Sequence, residues 1–320
     1  MIDLTHCSKW YGVVIGLNDV TLSVGPGVTG LLGPNGAGKS TMMKLVTGLM
    51  RASQGDVKVL GEHVYGNRDV LRRIGYCPEH EGVYTELTAL EFVTAMARIS
   101  GYDAAAAKKR AEEALERLDL TSAMHRRLGG FSKGMRQRTK LAQALVHDPD
   151  VLFLDEPLTG TDPIARAQIQ ALLEELGRAG KTILVSSHVL HEVERLTQEI
   201  VLIYRGRVLA EGNIYKIREL IDHHPHRVRV DCDRPHELAG ALMSAGLAVR
   251  VEVSAASAAP GRMIIETLTP DTAYDSIPAF ALDRGIHITE LSSPDNNLEA
   301  VFRYLTERVA GARTTALEDA

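Results

Sequence analysis

Apolar positions fall first into short runs, then into helical periods, then into short runs again. Ile2 to Thr5, Val20 to Val24, Val28 to Leu32, Val57 to Leu60 and Ile74 to Cys77 are of strand length. Ser8-Lys9-Trp10-Tyr11-Gly12, Ser53-Gln54-Gly55-Asp56 and Pro78 punctuate them. From about Leu87 to Val146 the period becomes helical. Thr88-Ala89-Leu90-Glu91 is a capping box, in which the threonine accepts from free helix N–H groups and Glu91 reaches back. Leu90, Val93 and Ala97 follow at helical spacing. A second helix spans Ala104 to Leu118, and a third starts near Ser132 and stops before Asp148-Pro149. Val151 to Leu154 and Thr182 to Val185 then read as central parallel strands around a helix from Ile164 to Leu176, a β-α-β unit. Arg205-Gly206 marks a hairpin between Ile200–Tyr204 and Arg207–Ala210, and a short helix runs from Ile214 to Ile221.

Asp222-His223-His224-Pro225-His226 breaks the pattern, so residues 221–226 read as a linker. The histidine spacing there fits no standard zinc pattern and suits a solvated hinge. Beyond it, strands (Val228 to Cys232, Leu247 to Val253, Met263 to Thr267, Ile286 to Leu291) and helices (Pro235 to Ala245, Thr272 to Arg284) follow the ferredoxin-like order β-α-β-β-α-β. Pro278 should kink or shorten the second of these helices. Leu298, Val301, Phe302, Leu305 and Val309 share one face of a last helix, and residues 311–320 read as a flexible tail. The expectation is an α/β domain over 1–220 with a helical subdomain, and a small α+β ferredoxin-like domain over 227–310.

A length of 320 residues exceeds one average domain, which supports that division. A net charge of −5 argues against a broad nucleic-acid surface, and no nucleic-acid partner is expected. Cys7, Cys77 and Cys232 lie far apart with no C-x-x-C spacing and read as reduced thiols of a cytosolic protein. Met1-Ile2-Asp3-Leu4 opens into a strand without a signal-peptide pattern, and no run approaches the ~18 apolar residues of a span. Work at a membrane would need another chain to cross it.

The chemistry begins at Gly33-Pro34-Asn35-Gly36-Ala37-Gly38-Lys39-Ser40-Thr41, which fits the phosphate-loop pattern between a strand and a helix. Its glycines allow the backbone N–H groups to turn inward, and the following helix directs its positive end at the same point. Lys39 would reach the β- and γ-phosphates of a nucleotide, and Ser40 would hold Mg²⁺. Val151 to Leu154 ends in Asp155-Glu156. Beside a phosphate loop, two acids at a strand end suit a metal-holding aspartate and a glutamate that polarises water, a step worth roughly 10²–10⁴-fold. His188 ends the next strand, where ligands of open α/β sheets sit, and reads as a γ-phosphate sensor.

The phosphate loop, then Phe131-Ser132-Lys133-Gly134-Met135, Asp155-Glu156, Gly160-Thr161-Asp162 and Ser187-His188, in that order, resembles the nucleotide-binding subunit of an ATP-binding cassette (ABC) transporter over about residues 1–219. The resemblance implies ATP and Mg²⁺ as ligands and ATP hydrolysis coupled to transport. It implies that Tyr11 stacks on adenine, with Trp10 the lesser candidate. It implies that Ser132 and Gly134 bind the γ-phosphate of ATP held by a second copy. Two cassettes would then stack head to tail, as a homodimer or a paired cassette, with Asp162 in the loop joining the two sites. Ser132 before a predicted helix agrees, because a capped helix start is an anion site.

The chain departs from the family pattern in the signature, where Phe131-Ser132-Lys133-Gly134-Met135 stands for the usual Leu-Ser-Gly-Gly-Gln with the serine and second glycine kept, and at Glu79 and Thr161. Lys133 adds a charge to the signature segment and faces phosphate or solvent. Thr161 stands where leucine is common. Glu79 replaces a glutamine; it can accept from water or ligate Mg²⁺ but cannot donate as an amide does. Glu79, the signature segment and Asp295-Asn296-Asn297-Leu298-Glu299-Ala300-Val301-Phe302 together resemble the branch that exports drugs, antibiotics and lipids through a separate integral membrane permease. The implied place is cytoplasmic, peripheral on the inner face of the cell membrane; residues His80 to Leu87 stand where family members meet the permease, and their mixed polarity allows either that or an ordinary loop. The alternatives are a non-transport cassette of the translation or repair type and a non-hydrolysing regulatory cassette.

Overall fold

The computed structural model describes residues 1–80, 82–219, 226–254 and 261–293. The chain divides into two compact units between Asn213 and Ile214.

In the first unit, β1 (Ile2–Tyr11) and β2 (Val14–Val24) form an antiparallel hairpin longer than its apolar runs. The polar stretch Ser8–Tyr11 is itself strand, because Trp10 pairs with Ile15 and Tyr11 with Val14, and register shifts absorb the mismatch. β3 (Gly27–Leu32) leads through the phosphate loop to α1 (Lys39–Val46). β4 (Gln54–Val59) and β5 (Glu62–His63) extend the hairpin to a four-stranded sheet ordered β2-β1-β4-β5. α2 (Arg68–Leu71) and β6 (Ile74–Cys77) follow.

The helical subdomain holds α3 (Ala89–Ile99), α4 (Ala104–Glu116) and α5 (Lys133–Leu145). Their starts are set locally. Thr88 and Glu91 form the full capping box, Asp103 accepts from Ala106 N–H, and Ser132 accepts from Met135 N–H. β7 (Val151–Asp155), α6 (Pro163–Arg178), β8 (Thr182–Ser187), α7 (Leu190–Leu196), β9 (Glu199–Tyr204) and β10 (Arg207–Asn213) complete the unit.

The six-stranded sheet runs β10-β9-β3-β8-β7-β6, parallel except for the β9–β10 hairpin. Along β7, Val151 and Phe153 join the core shared with α1 and the smaller sheet, while Leu152 and Leu154 join the core shared with the helices. All five β7 residues are buried, as an apolar run covered on both faces requires. In-register pairing of β3, β8, β7 and β6 brings their C-terminal ends to one edge. That edge carries the phosphate loop, Asp155-Glu156, Ser187-His188 and the turn to Glu79.

The second unit holds α8 (Ile214–Glu219), β11 (His226–Cys232), α9 (Pro235–Ser244), β12 (Arg250–Val253), β13 (Gly261–Thr267), α10 (Pro270–Asp283) and β14 (Ile288–Ser292). From β11 on, the elements follow β-α-β-β-α-β in an antiparallel sheet ordered β12-β13-β11-β14. Three readings change. α10 continues through Pro278 for its 14 residues, because Ala273, Ile277 and Ala281 pin it to the core on either side of the proline. β12 starts at Arg250 rather than Leu247, because Gly246 (φ 70°) ends α9 and Leu247 N–H caps the Leu242 carbonyl. β11 already begins at His226. The rest of the 221–226 linker, the Asp295–Phe302 segment, the helix on Leu298–Val309 and the tail lie outside the described residues.

Candidate active site

The phosphate loop is shaped by close backbone approaches. A Cβ on Gly33 would lie 2.3 Å from the Ile203 carbonyl, and one on Gly38 would lie 2.6 Å from the Gly16 carbonyl. Gly38 also has φ 112°, so glycine is required there on both counts. Ala37 N–H bonds back to the Pro34 carbonyl at 3.1 Å, and Gly206 N–H of the β9–β10 hairpin donates to the Ala37 carbonyl at 2.7 Å. The loop therefore hangs between β2 and the β9–β10 hairpin. Asn35, Gly36 and Ser40 face outward, and Thr41 is half-buried at the start of α1.

Lys39 is buried at 7% exposure and donates to the Gly33 carbonyl at 2.6 Å and the Pro34 carbonyl at 3.4 Å. Burial pushes its ammonium below the ordinary lysine range, against the pull of Glu156, Asp155 and Glu79. A buried ammonium under a glycine loop at a helix start is a site for a polyanion.

The two acids at the end of β7 are held differently. Asp155 is buried at 3% exposure and accepts from the Ser186 hydroxyl. Glu156 has φ 52°, a left-handed conformation uncommon for a non-glycine residue. Its N–H is fixed by Ser186, through the hydroxyl at 3.1 Å and the carbonyl at 3.2 Å. Its carboxylate meets His188 Nδ1 at 2.9 Å and Thr159 Oγ1 at 3.5 Å. Burial raises the Glu156 pKa, although His188 and Lys39 oppose the rise. A partly desolvated carboxylate oriented by a histidine is equipped to take a proton from water.

Glu79 is exposed on the loop after β6. Buried Lys140 fixes that loop by donating to the carbonyls of Pro78 at 2.8 Å, Glu79 at 3.0 Å and His80 at 3.4 Å. Tyr11 is 42% exposed at the end of β1. A Cβ on Gly16 would touch both its ring, at 2.8 Å, and Thr41, at 3.1 Å. The ring thus stands beside the phosphate loop. Trp10 is half-buried.

Ser132, Gly134 and Asp162 gather at a second locus. Ser132 caps α5, and Asp162 caps α6 by accepting from Ile164 N–H at 3.1 Å and Ala165 N–H at 2.9 Å. A Cβ on Gly134 would lie 3.1 Å from the Gly160 carbonyl. The first locus therefore joins Gly33 to Thr41, Glu79, Asp155, Glu156 and His188, with Tyr11 at its side.

Sequence reasoning passed over four contributors. Ser186 orients both acids. Gln137 is buried and directs Nε2 at the Glu156 carbonyl at 3.5 Å. Lys140 carries the Glu79 loop. Val13, Val14 and Ile15 are exposed beside Tyr11, an apolar shelf next to the loop. The available signals were a polar pair ending an apolar strand for Ser186 and three apolar residues at a hairpin tip for the shelf.

A family profile described as "ABC transporter" matches residues 17–159. The chain is 39% identical over 226 residues to the "ABC transporter ATP-binding protein NatA" of Bacillus subtilis (strain 168), covering 68% of this chain and 92% of that protein. It is 33% identical over 316 residues to the "Daunorubicin/doxorubicin resistance ATP-binding protein DrrA" of Streptomyces peucetius, covering 98% and 94%. Among solved structures, the "ATP-binding cassette MJ0796 bound to ADP and Pi", a dimer in a post-hydrolysis state, is similar with a TM-score of 0.62 and 27% identity over 67% of this chain and 99% of that one. The phosphate loop, the Asp155–Glu156 strand end and these likenesses agree: the chain belongs to the ATP-binding subunits of ABC transporters, and its first unit is an ATP-hydrolysing cassette.

Proposed function

We propose that this chain drives an ABC-type exporter, hydrolysing ATP in a homodimer or paired cassette and passing the motion to a separate integral membrane permease. The observation that carries the catalytic part is the buried Glu156 carboxylate, 2.9 Å from His188 Nδ1 and within the field of Lys39. Export rests on the relatives: one is named for drug resistance, one for bacitracin transport and one for Nod factor export. None of these three names points to translation or repair. The drug-resistance relative is matched across both units, which favours the same use of the whole chain.

The loop N–H groups and Lys39 hold the β- and γ-phosphates of ATP. Tyr11 and the Val13–Ile15 shelf receive the adenine. Ser40, Asp155 and Glu79 offer the oxygen-only donor set that suits Mg²⁺ together with phosphate. Mg²⁺ supplies charge neutralisation at the phosphates when bound. Glu156 orients the attacking water and accepts its proton. His188 holds the Glu156 carboxylate through Nδ1, and in the imidazolium form, where both ring nitrogens carry protons, Nε2 also donates to a γ-phosphate oxygen. Ser132 and Gly134 of a facing copy close the site from the other side.

Among the described residues no helix is long and apolar enough to cross a membrane. The reading therefore assigns the crossing to the permease and places this chain on the membrane's inner face. The test is phosphate release by the purified chain, with and without its co-purified membrane partner. Mg²⁺-dependent turnover that is lost in Lys39→Ala and stimulated by a polytopic partner is expected. Stimulation by ribosomes or DNA instead would overturn the transport assignment.

A further inference from the structure

Leu158 to Asp162 touches three parts of its own unit. Thr159 Oγ1 donates to the Glu156 carboxylate at 3.5 Å. Arg166 donates to the Thr161 carbonyl at 3.4 Å and pairs at 3.1 Å with Glu192 of α7, the helix that follows His188. The third contact is with the signature segment. A Cβ built on Gly160 would lie 2.6 Å from Lys133 Cδ and 2.9 Å from both Cε and Cγ, so the lysine stem lies across that glycine. Gly160 also has φ 76°, so the position excludes a side chain by conformation as well as by space. Lys133 is the first residue of α5, directly after the Ser132 cap.

We propose that Lys133 is a positioning residue whose aliphatic stem, packed on Gly160, transmits the state of one site's Glu156 to the Ser132 helix end that serves the facing site. The inference rests on the head-to-tail dimer reading above. The path is short and made of contacts: Glu156 to Thr159, Gly160 to Lys133, and Lys133 to the α5 start. The stem, not the ammonium, makes the contact with the loop, as long charged side chains do when they cover a surface with their methylenes. A change of geometry at the Glu156 carboxylate then shifts the α5 N-terminus, where small displacements decide phosphate contacts.

Phosphate release by the purified full-length chain is measured against MgATP concentration. Lys133→Ala keeps helix propensity but removes the stem. It is expected to bring the Hill coefficient to about 1 and to lower kcat roughly tenfold, with MgATP binding by the monomer unchanged. Lys133→Met restores the stem without the charge and should recover most of both losses. Gly160→Ala pushes the stem aside and should reproduce Lys133→Ala. Equal impairment in Lys133→Met and Lys133→Ala would overturn the inference, because the charge would then be responsible. A wild-type Hill coefficient in Lys133→Ala would overturn it as well. If the wild-type chain shows neither cooperativity nor an ATP-dependent dimer, the dimer reading fails and takes this inference with it. A cooperative, dimerising wild type with unaltered variants sinks this inference alone.

Discussion

Glu156 is placed against the interest of the fold. It combines a left-handed backbone, near-complete burial and a raised pKa, each a cost to the folded state. Because its folded pKa lies above the ordinary 4.5, its contribution favours folding at low pH and is lost as pH rises through the folded value. Glu156→Gln should therefore raise the thermal midpoint of the nucleotide-free chain at neutral pH, and the gain should shrink toward the ordinary glutamate pKa. Differential scanning calorimetry at two pH values checks both. Tyr11 carries the adenine assignment. Tyr11→Ala should weaken ATP binding about tenfold, as loss of one base–aromatic stack does, while Tyr11→Phe keeps it; titration calorimetry separates the two. The acids were legible in the sequence because an apolar strand ending in Asp155-Glu156 has few other uses beside a phosphate loop. Ser186 was not, because a serine in a strand gives no sign of which acids it will face.

Among the elements, the loop after β6 depends on one buried lysine. Lys140 donates to three successive carbonyls from Pro78 to His80, and a methionine there leaves all three without that donor. Lys140→Met is expected to cost about 2–3 kcal/mol in urea denaturation and to lower ATP turnover by displacing Glu79. Elements with a local start signal were readable: the Thr88–Glu91 box, Ser132 and the paired apolar strands β7 and β8. α7 was not, because its seven residues follow Val189, which offers no side-chain cap. The true length of β1 and β2 was hidden as well, since cross-strand pairing of Trp10 and Tyr11 is a tertiary fact that a polar segment does not announce. Pro278 did not shorten α10, because core contacts on both sides of it outweigh one lost backbone bond.

At the scale of the whole molecule, the cassette carries the chemistry and the second unit carries its own stabilising network. Arg262 and Arg229 both donate to Asp231 on the sheet, and this holds its carboxyl down to about 2. A lowered acid pKa gives stability that is present above the ordinary 3.8 and lost as pH falls through about 2. Asp231→Asn should therefore lower the melting midpoint of this unit at neutral pH and flatten its acid transition, as circular dichroism can follow. The order of its strands and helices was readable from alternation and turn residues, whereas what the unit recognises was not, because its sheet pairs arginines with acids rather than presenting a motif. The central claim concerns the cassette: Glu156 hydrolyses ATP in a site that two copies share. The solution mass of Glu156→Gln with saturating MgATP, with the bound nucleotide recovered and identified, tests it most directly. The expected result is twice the mass of one chain, holding intact ATP. A chain that stays monomeric with ATP bound, or that converts it to ADP and phosphate at the wild-type rate, would contradict it.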